Sequence, residues 1–160
     1  MPTPNTHTDD GPPPAADLMT SPVFLLLGLG RMVRERVEEA LAVHGMSLRL
    51  LSALGHLYRD PGTSYSQLAR RANLTTQSIQ ATVAHLEATG AVERRTAPGR
   101  GRTAELHVTA AGEDLLRVSR AAIAEVEGQL LAGVGDDERQ RFGGTLRTIA
   151  ERAWRDRPSA

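Results

Sequence analysis

TTQSIQATVAHLEATG, residues Thr75 to Gly90, decides how the rest of this 160-residue chain is read. Ile79, Val83 and Leu86 recur at helical spacing and make one apolar stripe. Thr76, Gln77, Gln80, Ala81 and His85 fall on the other side, which carries little charge. Thr75 is placed to cap the first turn, and Leu74 and Ile79 have the spacing of a hydrophobic staple. Gly90 supplies the left-handed residue that stops a helix at low steric cost. A short helix with a small, polar, uncharged outer face suits insertion into a groove, where Gln, Thr and Ser read base edges while phosphate charge is met elsewhere. An ordinary surface helix has the same stripe, so the flanks must decide between the two.

Upstream, SYSQLARRA, Ser64 to Ala72, is a second short helix. Ser64 and Gln67 have capping-box spacing, and Leu68 and Ala72 point inward. With Asn73 and Leu74 as the connection, the pair reads as helix-turn-helix. Downstream, Ala91 to Arg95 is a strand candidate. Thr96 to Thr103 is a Gly/Pro turn carrying Arg100 and Arg102, and Ala104 to Thr109 alternates as a return strand. Helix, turn, helix and an arginine-tipped hairpin make a winged helix-turn-helix, whose wing arginines suit phosphates or a minor groove.

The run LEATGAVERRTAPGRGRTAELHVTAAGEDLL, Leu86 to Leu116, resembles the corresponding region of the MarR family of transcriptional regulators. The similar parts are the LEAxGxVxR exit from the recognition helix, a wing holding proline and arginine, and the VTxxG approach to the next helix. The resemblance covers Pro22 to Trp154 in layout and is specific over Ser64 to Gly112. In that family the wing carries Asp-x-Arg, the aspartate orienting the arginine. Here Arg102 falls on the arginine position, Arg100 stands where the aspartate is expected, and the often acidic position near Ala97 is neutral. The wing is therefore more basic than usual and lacks its orienting carboxylate.

Length allows one domain with a sizeable core. The formal net charge is zero, so total charge announces no partner. Its distribution is more telling: between Ser64 and Thr109, Arg70, Arg71, Arg94, Arg95, Arg100 and Arg102 outnumber Glu87, Glu93 and Glu105. The chain has no lysine, and arginine suits bidentate phosphate contacts. Without cysteine there is neither a disulfide framework nor a thiol switch. No run approaches the ~18 apolar residues of a membrane span, and no secretory signal is evident, so the expected location is the cytoplasm.

Residues 1–20, rich in Pro, Thr, Asp and Gly, are expected to form a disordered tail. Residues 21–156 form the expected domain, its DNA-binding lobe spanning about 47–109 and its dimerisation helices about 22–44 and 109–155. In the first long helix, Pro22 to His44, the apolar face is Val23, Leu26, Leu27, Gly30, Val33, Val37, Ala40 and Leu41. Ser47 caps a second helix to Tyr58, with Leu48, Leu51, Leu54 and Leu57 inward, and Asp60-Pro61-Gly62 turns the chain. A long helix from Thr109 to about Leu131 and a last one from Gly135 or Asp136 to about Trp154, with Phe142, Leu146, Ile149, Ala150 and Trp154 apolar, complete the chain. The expected fold class is mainly α with a small β-hairpin wing, a winged helix-turn-helix flanked by long dimerisation helices. Those helices carry more apolar surface than a compact winged helix needs. Folding back on the same chain would cover it; pairing with a second copy about a two-fold axis covers it more simply. The resemblance implies that pairing, with first, fifth and sixth helices interleaved.

A dimer of this kind meets successive major grooves ~34 Å apart, on an inverted-repeat operator in double-stranded DNA. Thr76, Gln77, Ser78 and Gln80 are the expected groove residues, Ser78 having ambiguous facing. Ser64, Thr75, Arg94, Arg95, Arg100 and Arg102 are expected at the backbone or minor groove. The resemblance further implies a small aromatic or phenolic, anionic effector, bound between dimer helices and DNA-reading lobe and releasing a repressor from its operator. Met32, Arg36, Met46 and His56 lie on elements suited to line such a pocket. The five histidines lie in separate elements without metal-site spacing, and no nucleophile elbow or phosphate loop appears, so neither an enzyme nor a bound cofactor is expected. The rival expectation is a helical homodimer that binds a protein partner and has lost DNA binding.

Overall fold

A computed structural model of the chain describes residues 19–72, 75–95 and 105–156, without the side chains of Thr76 and Trp154. The expected connection at Asn73 and Leu74, the staple to Leu74, the wing tip with Arg100 and Arg102, and most of the expected tail lie outside the described residues. By its internal contacts the chain divides into Met1–Arg36 and Val37–Ala160.

The first unit holds the greater part of helix α1, Pro22–Ala42. The Ser21 carbonyl accepts the Leu25 N–H at 3.0 Å, and Pro22 occupies the first helical position, where a missing N–H costs nothing. The expected solvent side is present, with Arg31 paired to Glu35 at 3.3 Å. The first turns of the expected apolar face are not buried: Val23, Leu26 and Leu27 are exposed, as are Phe24, Leu25 and Leu29 from the rest of the helix circumference. The apolar surface is thus broader than one amphipathic stripe.

In the second unit the last turns of α1 bury Val37 and Leu41. The helix stops at Ala42, two residues before its expected end, and the Met46 N–H closes onto the Leu41 carbonyl at 3.0 Å. Helix α2, Leu48–Arg59, starts where its cap predicts: Ser47 Oγ accepts the Leu50 N–H at 3.2 Å. Glu38 accepts the Leu48 N–H at 3.2 Å, a carboxylate placed where the helix dipole favours negative charge. Helix α3 is Tyr65–Ala72 and helix α4 Thr76–Ala88. Strands β1, Val92–Arg94, and β2, Leu106–Val108, pair antiparallel with Val92 opposite Val108 and Arg94 opposite Leu106. The Gly62 N–H donates to the Leu106 carbonyl at 3.0 Å, pinning the turn after α2 to the hairpin.

Helices α2, α3 and α4 pack on one another, and β1 lies against α4. Leu41, Leu54, Leu57, Leu68, Ile79, Val83, Leu86 and Leu106 are all essentially inaccessible. Each such side chain contributes about 1.5–3 kcal/mol on leaving water. This core fixes the lobe that carries α4.

Helix α5, Ala110–Leu130, packs against α2 and β2. Thr109 caps it through the Gly112 N–H at 3.1 Å, while its own hydroxyl donates to the Gly90 carbonyl at 2.6 Å. Its N–H reaches the Ala91 carbonyl at 3.1 Å. One threonine therefore ties the start of α5 to the exit of α4. Helix α6, Asp136–Arg155, begins with Asp136, Asp137 and Glu138, favourable charges at a helix N-terminus. Arg139 donates to the Val134 and Leu131 carbonyls at 3.0 and 2.7 Å. Within its unit α6 packs closely along no other described element, and Phe142 and Ile149 are exposed.

Candidate nucleic-acid interface

Helix α4 is fixed at both ends by its own sequence. Thr75 Oγ1 accepts the Ser78 N–H at 3.2 Å, satisfying one of the first-turn donors. At the other end the Ala91 N–H reaches the Leu86 carbonyl at 2.9 Å and the Gly90 N–H the Glu87 carbonyl at 3.0 Å. That is a complete Schellman motif, and it requires the left-handed φ of 71° at Gly90. Ile79, Val83 and Leu86 are buried, as the stripe predicts; Thr82 is buried beside them, its hydroxyl donating to the Ser78 carbonyl at 2.7 Å.

With that stripe held in the core, Gln77, Gln80, Ala81, Ala84 and His85 are exposed. No residue of this face is a carboxylate or an arginine. The ambiguity at Ser78 resolves into a half-buried side chain whose oxygen takes the Thr75 hydroxyl at 3.0 Å. Thr75 and Ser78 thus serve the cap with the same atoms they would offer a ligand. Ser64 closes the capping box as expected: its N–H donates to Gln67 Oε1 at 3.1 Å, and its hydroxyl accepts the Gln67 N–H at 3.4 Å.

The arginines divide. Arg94 turns inward to its own chain: Nη2 donates to the Tyr65 hydroxyl at 2.5 Å, and Nε lies 3.5 Å from Glu87 Oε1. Its guanidinium carbon stands 5.6 Å from the Tyr65 ring centroid. Arg95 is exposed and pairs with the exposed Glu93 at 2.9 Å, a contact worth little in water. Arg71 pairs with Asp60, and Arg70 is exposed. Sequence reasoning placed Arg94 among phosphate contacts because its partner Tyr65 is 29 residues away.

A cavity of about 450 Å³ opens beside the last turn of α4. His44 and Met46 line it from the α1–α2 connection, His85 and Leu86 from α4, and Leu115 and Val118 from α5. Of the expected pocket residues, Met46 is part of this lining. His56 lies elsewhere, its Nδ1 3.3 Å from Arg59 Nη2, and its pKa is lowered by burial and by the Arg59 and Arg71 charges, against the opposing pull of Asp60. Met32 is half-buried and Arg36 exposed in the first unit. The α5 residues were missed because three segments distant in sequence meet here. The legible signals were Met46, expected in a pocket, and His85, on the outer face of α4. Among the described residues no cluster of His, Cys, Asp or Glu suits a metal ion, and no helix is long and apolar enough to cross a membrane.

A family model described as MarR family matches residues 44–103, a stretch that includes α2, α3, α4 and β1. The HTH-type transcriptional repressor Rv2887 of Mycobacterium tuberculosis is 30% identical over 119 residues, covering 74% of this chain and 86% of the relative. The crystal structure of Rv2887 in complex with DNA superposes with a TM-score of 0.69 at 28% identity, covering 81% of this chain and 97% of that one. Its complex with salicylic acid superposes at 0.64 with 29% identity, covering 81% and 96%.

Proposed function

This chain belongs to the MarR family, and on that premise we propose that it is a homodimeric, sequence-specific reader of double-stranded DNA, a transcriptional repressor released by a small ligand. The observation that carries this reading is the uncharged outer face of α4, held by caps at both ends while its opposite stripe is locked in the core. Gln77 and Gln80 face the major-groove floor, where glutamine pairs bidentately with adenine, and Thr76 and Ser78 are the further base-contact candidates. Ser64, Thr75, Arg95, Arg100 and Arg102 serve the phosphates or the minor groove. The relative crystallised with DNA supports the nucleic-acid partner.

Residues 21–156 act as one domain, with the DNA-reading lobe at about 47–109 and the pairing helices at about 22–44 and 109–155. The exposed apolar residues of α1 and α6 support a second copy as their cover. A two-fold dimer sets the recognition helices ~34 Å apart on an inverted repeat. The cavity beside α4 has the size for a small aromatic anion, and the relative crystallised with salicylic acid supports that class. A ligand there favours one setting of α4 over another and so changes affinity for DNA by its own difference in affinity. The reading gives the chain no catalytic step and places it with the DNA in the cytoplasm.

The base-reading role is tested by Gln77→Ala and Gln80→Ala against operators substituted one position at a time. Each variant should lose about 1–3 kcal/mol on the native site and become indifferent to one base pair. Uniform weakening across all sequences, or no change, argues against it.

A further inference from the structure

Arg94 leaves β1 and meets two helices at once. It donates to the Tyr65 hydroxyl of α3 at 2.5 Å, lies 3.5 Å from the Glu87 carboxylate of α4, and stands 5.6 Å from the centre of the Tyr65 ring. Both Arg94 and Glu87 are about 30% exposed at the side chain, too enclosed for a freely solvated pair. A hydrogen bond to a charged donor, an ion pair and a cation–π contact converge on one guanidinium, whose planar fork serves several partners without reorganising. Arginine alone offers this; lysine has a point charge and no fork.

We propose that Arg94 is a positioning residue that clasps α3, α4 and β1 into one body and so governs sequence discrimination, rather than a phosphate contact. The inference rests on the DNA-reading function proposed above. Reading a base edge needs α4 at a fixed depth and angle, and a loosened helix still finds phosphates while losing base register. The clasp joins the first turn of α3 to the last turn of α4 and to the strand that leads to the wing. Its failure should therefore appear as lost specificity with the same number of phosphate contacts.

The test compares wild type with Arg94→Gln, Tyr65→Phe and Arg95→Gln. Tyr65→Phe keeps the ring and the packing and removes only the hydroxyl, so it reads the clasp even if Arg94→Gln folds poorly. Anisotropy is measured on the duplex upstream of the gene and on a scrambled duplex, across a salt series. The expected result for Arg94→Gln and Tyr65→Phe is an about tenfold smaller ratio of native to scrambled affinity, with the wild-type salt slope. Arg95→Gln should instead weaken both duplexes and lower the slope by about 0.9. An Arg94→Gln slope reduced by that amount with the ratio intact overturns the inference. Amide hydrogen exchange over residues 86–92, without DNA, reads the clasp independently of function. Faster exchange in Arg94→Gln and Tyr65→Phe is expected, and unchanged exchange refutes the clasp. Wild type that binds neither duplex defeats the DNA-reading function instead, which keeps the two failures apart.

Discussion

Gly112 is the residue at which a family-like pattern acquires a physical cause. A Cβ built there would stand 2.2 Å from the Ala91 carbonyl oxygen and 2.7 Å from a Val108 methyl. The first is backbone and cannot step aside, so the VTxxG spacing records how closely α5 crosses the end of the hairpin. Gly55, inside α2, has nothing within 4 Å of the same construction. Gly112→Ala should therefore cost about 1–3 kcal/mol through overpacking, and Gly55→Ala should gain about 0.5–1 kcal/mol through helix propensity. Denaturant unfolding of both variants checks the pair, and equal effects of the same sign would contradict the packing account. The pattern was legible in the sequence; its cause was not, because Ala91 lies 21 residues earlier. Arg94 taught the same lesson more sharply, since its charge was legible and its partner was not.

At the scale of elements, what was legible is what is local. Ser47 on Leu50, Ser64 on Gln67 and Thr75 on Ser78 are caps spaced by three residues that form as their residue types predict, and Thr109 on Gly112 repeats the spacing. Helix ends and the buried stripe of α4 followed from them. The apolar extent of α1 did not. Period analysis picked one face, yet Phe24, Leu25 and Leu29 are exposed as well, so VFLLLGL presents apolar surface nearly all round. Periodicity reports contrast between faces, and a helix apolar on every side offers little. On the dimer reading this surface is the pairing seam. Leu27 is 70% exposed, so Leu27→Glu should leave the fold of one chain intact, shift it from dimer to monomer in sedimentation, and weaken operator binding about a hundredfold through lost avidity. A variant that remains dimeric with full affinity would place the seam elsewhere.

For the whole molecule, net charge said nothing and its distribution said a little. The chain is neutral, yet between Ser64 and Thr109 six arginines stand against three glutamates. The order of elements was legible from end to end, because each motif sits on a segment with its own start and stop. The cavity beside α4 was legible only through Met46 and His85, because it is assembled from the α1–α2 connection, α4 and α5. A site made of three remote segments leaves no local pattern. On the reading proposed above, a ligand held there would touch the last turn of α4 directly.

The central claim is that the α4 face reads a particular duplex. Fluorescence anisotropy with the duplex immediately upstream of the gene, beside a scrambled duplex of equal length and across a salt series, tests it most directly. The account predicts affinity for the native duplex at least about a thousandfold above the scrambled one, with both weakening steeply as salt rises. Binding to neither duplex at low salt would contradict it and turn attention to a protein partner for the same helices.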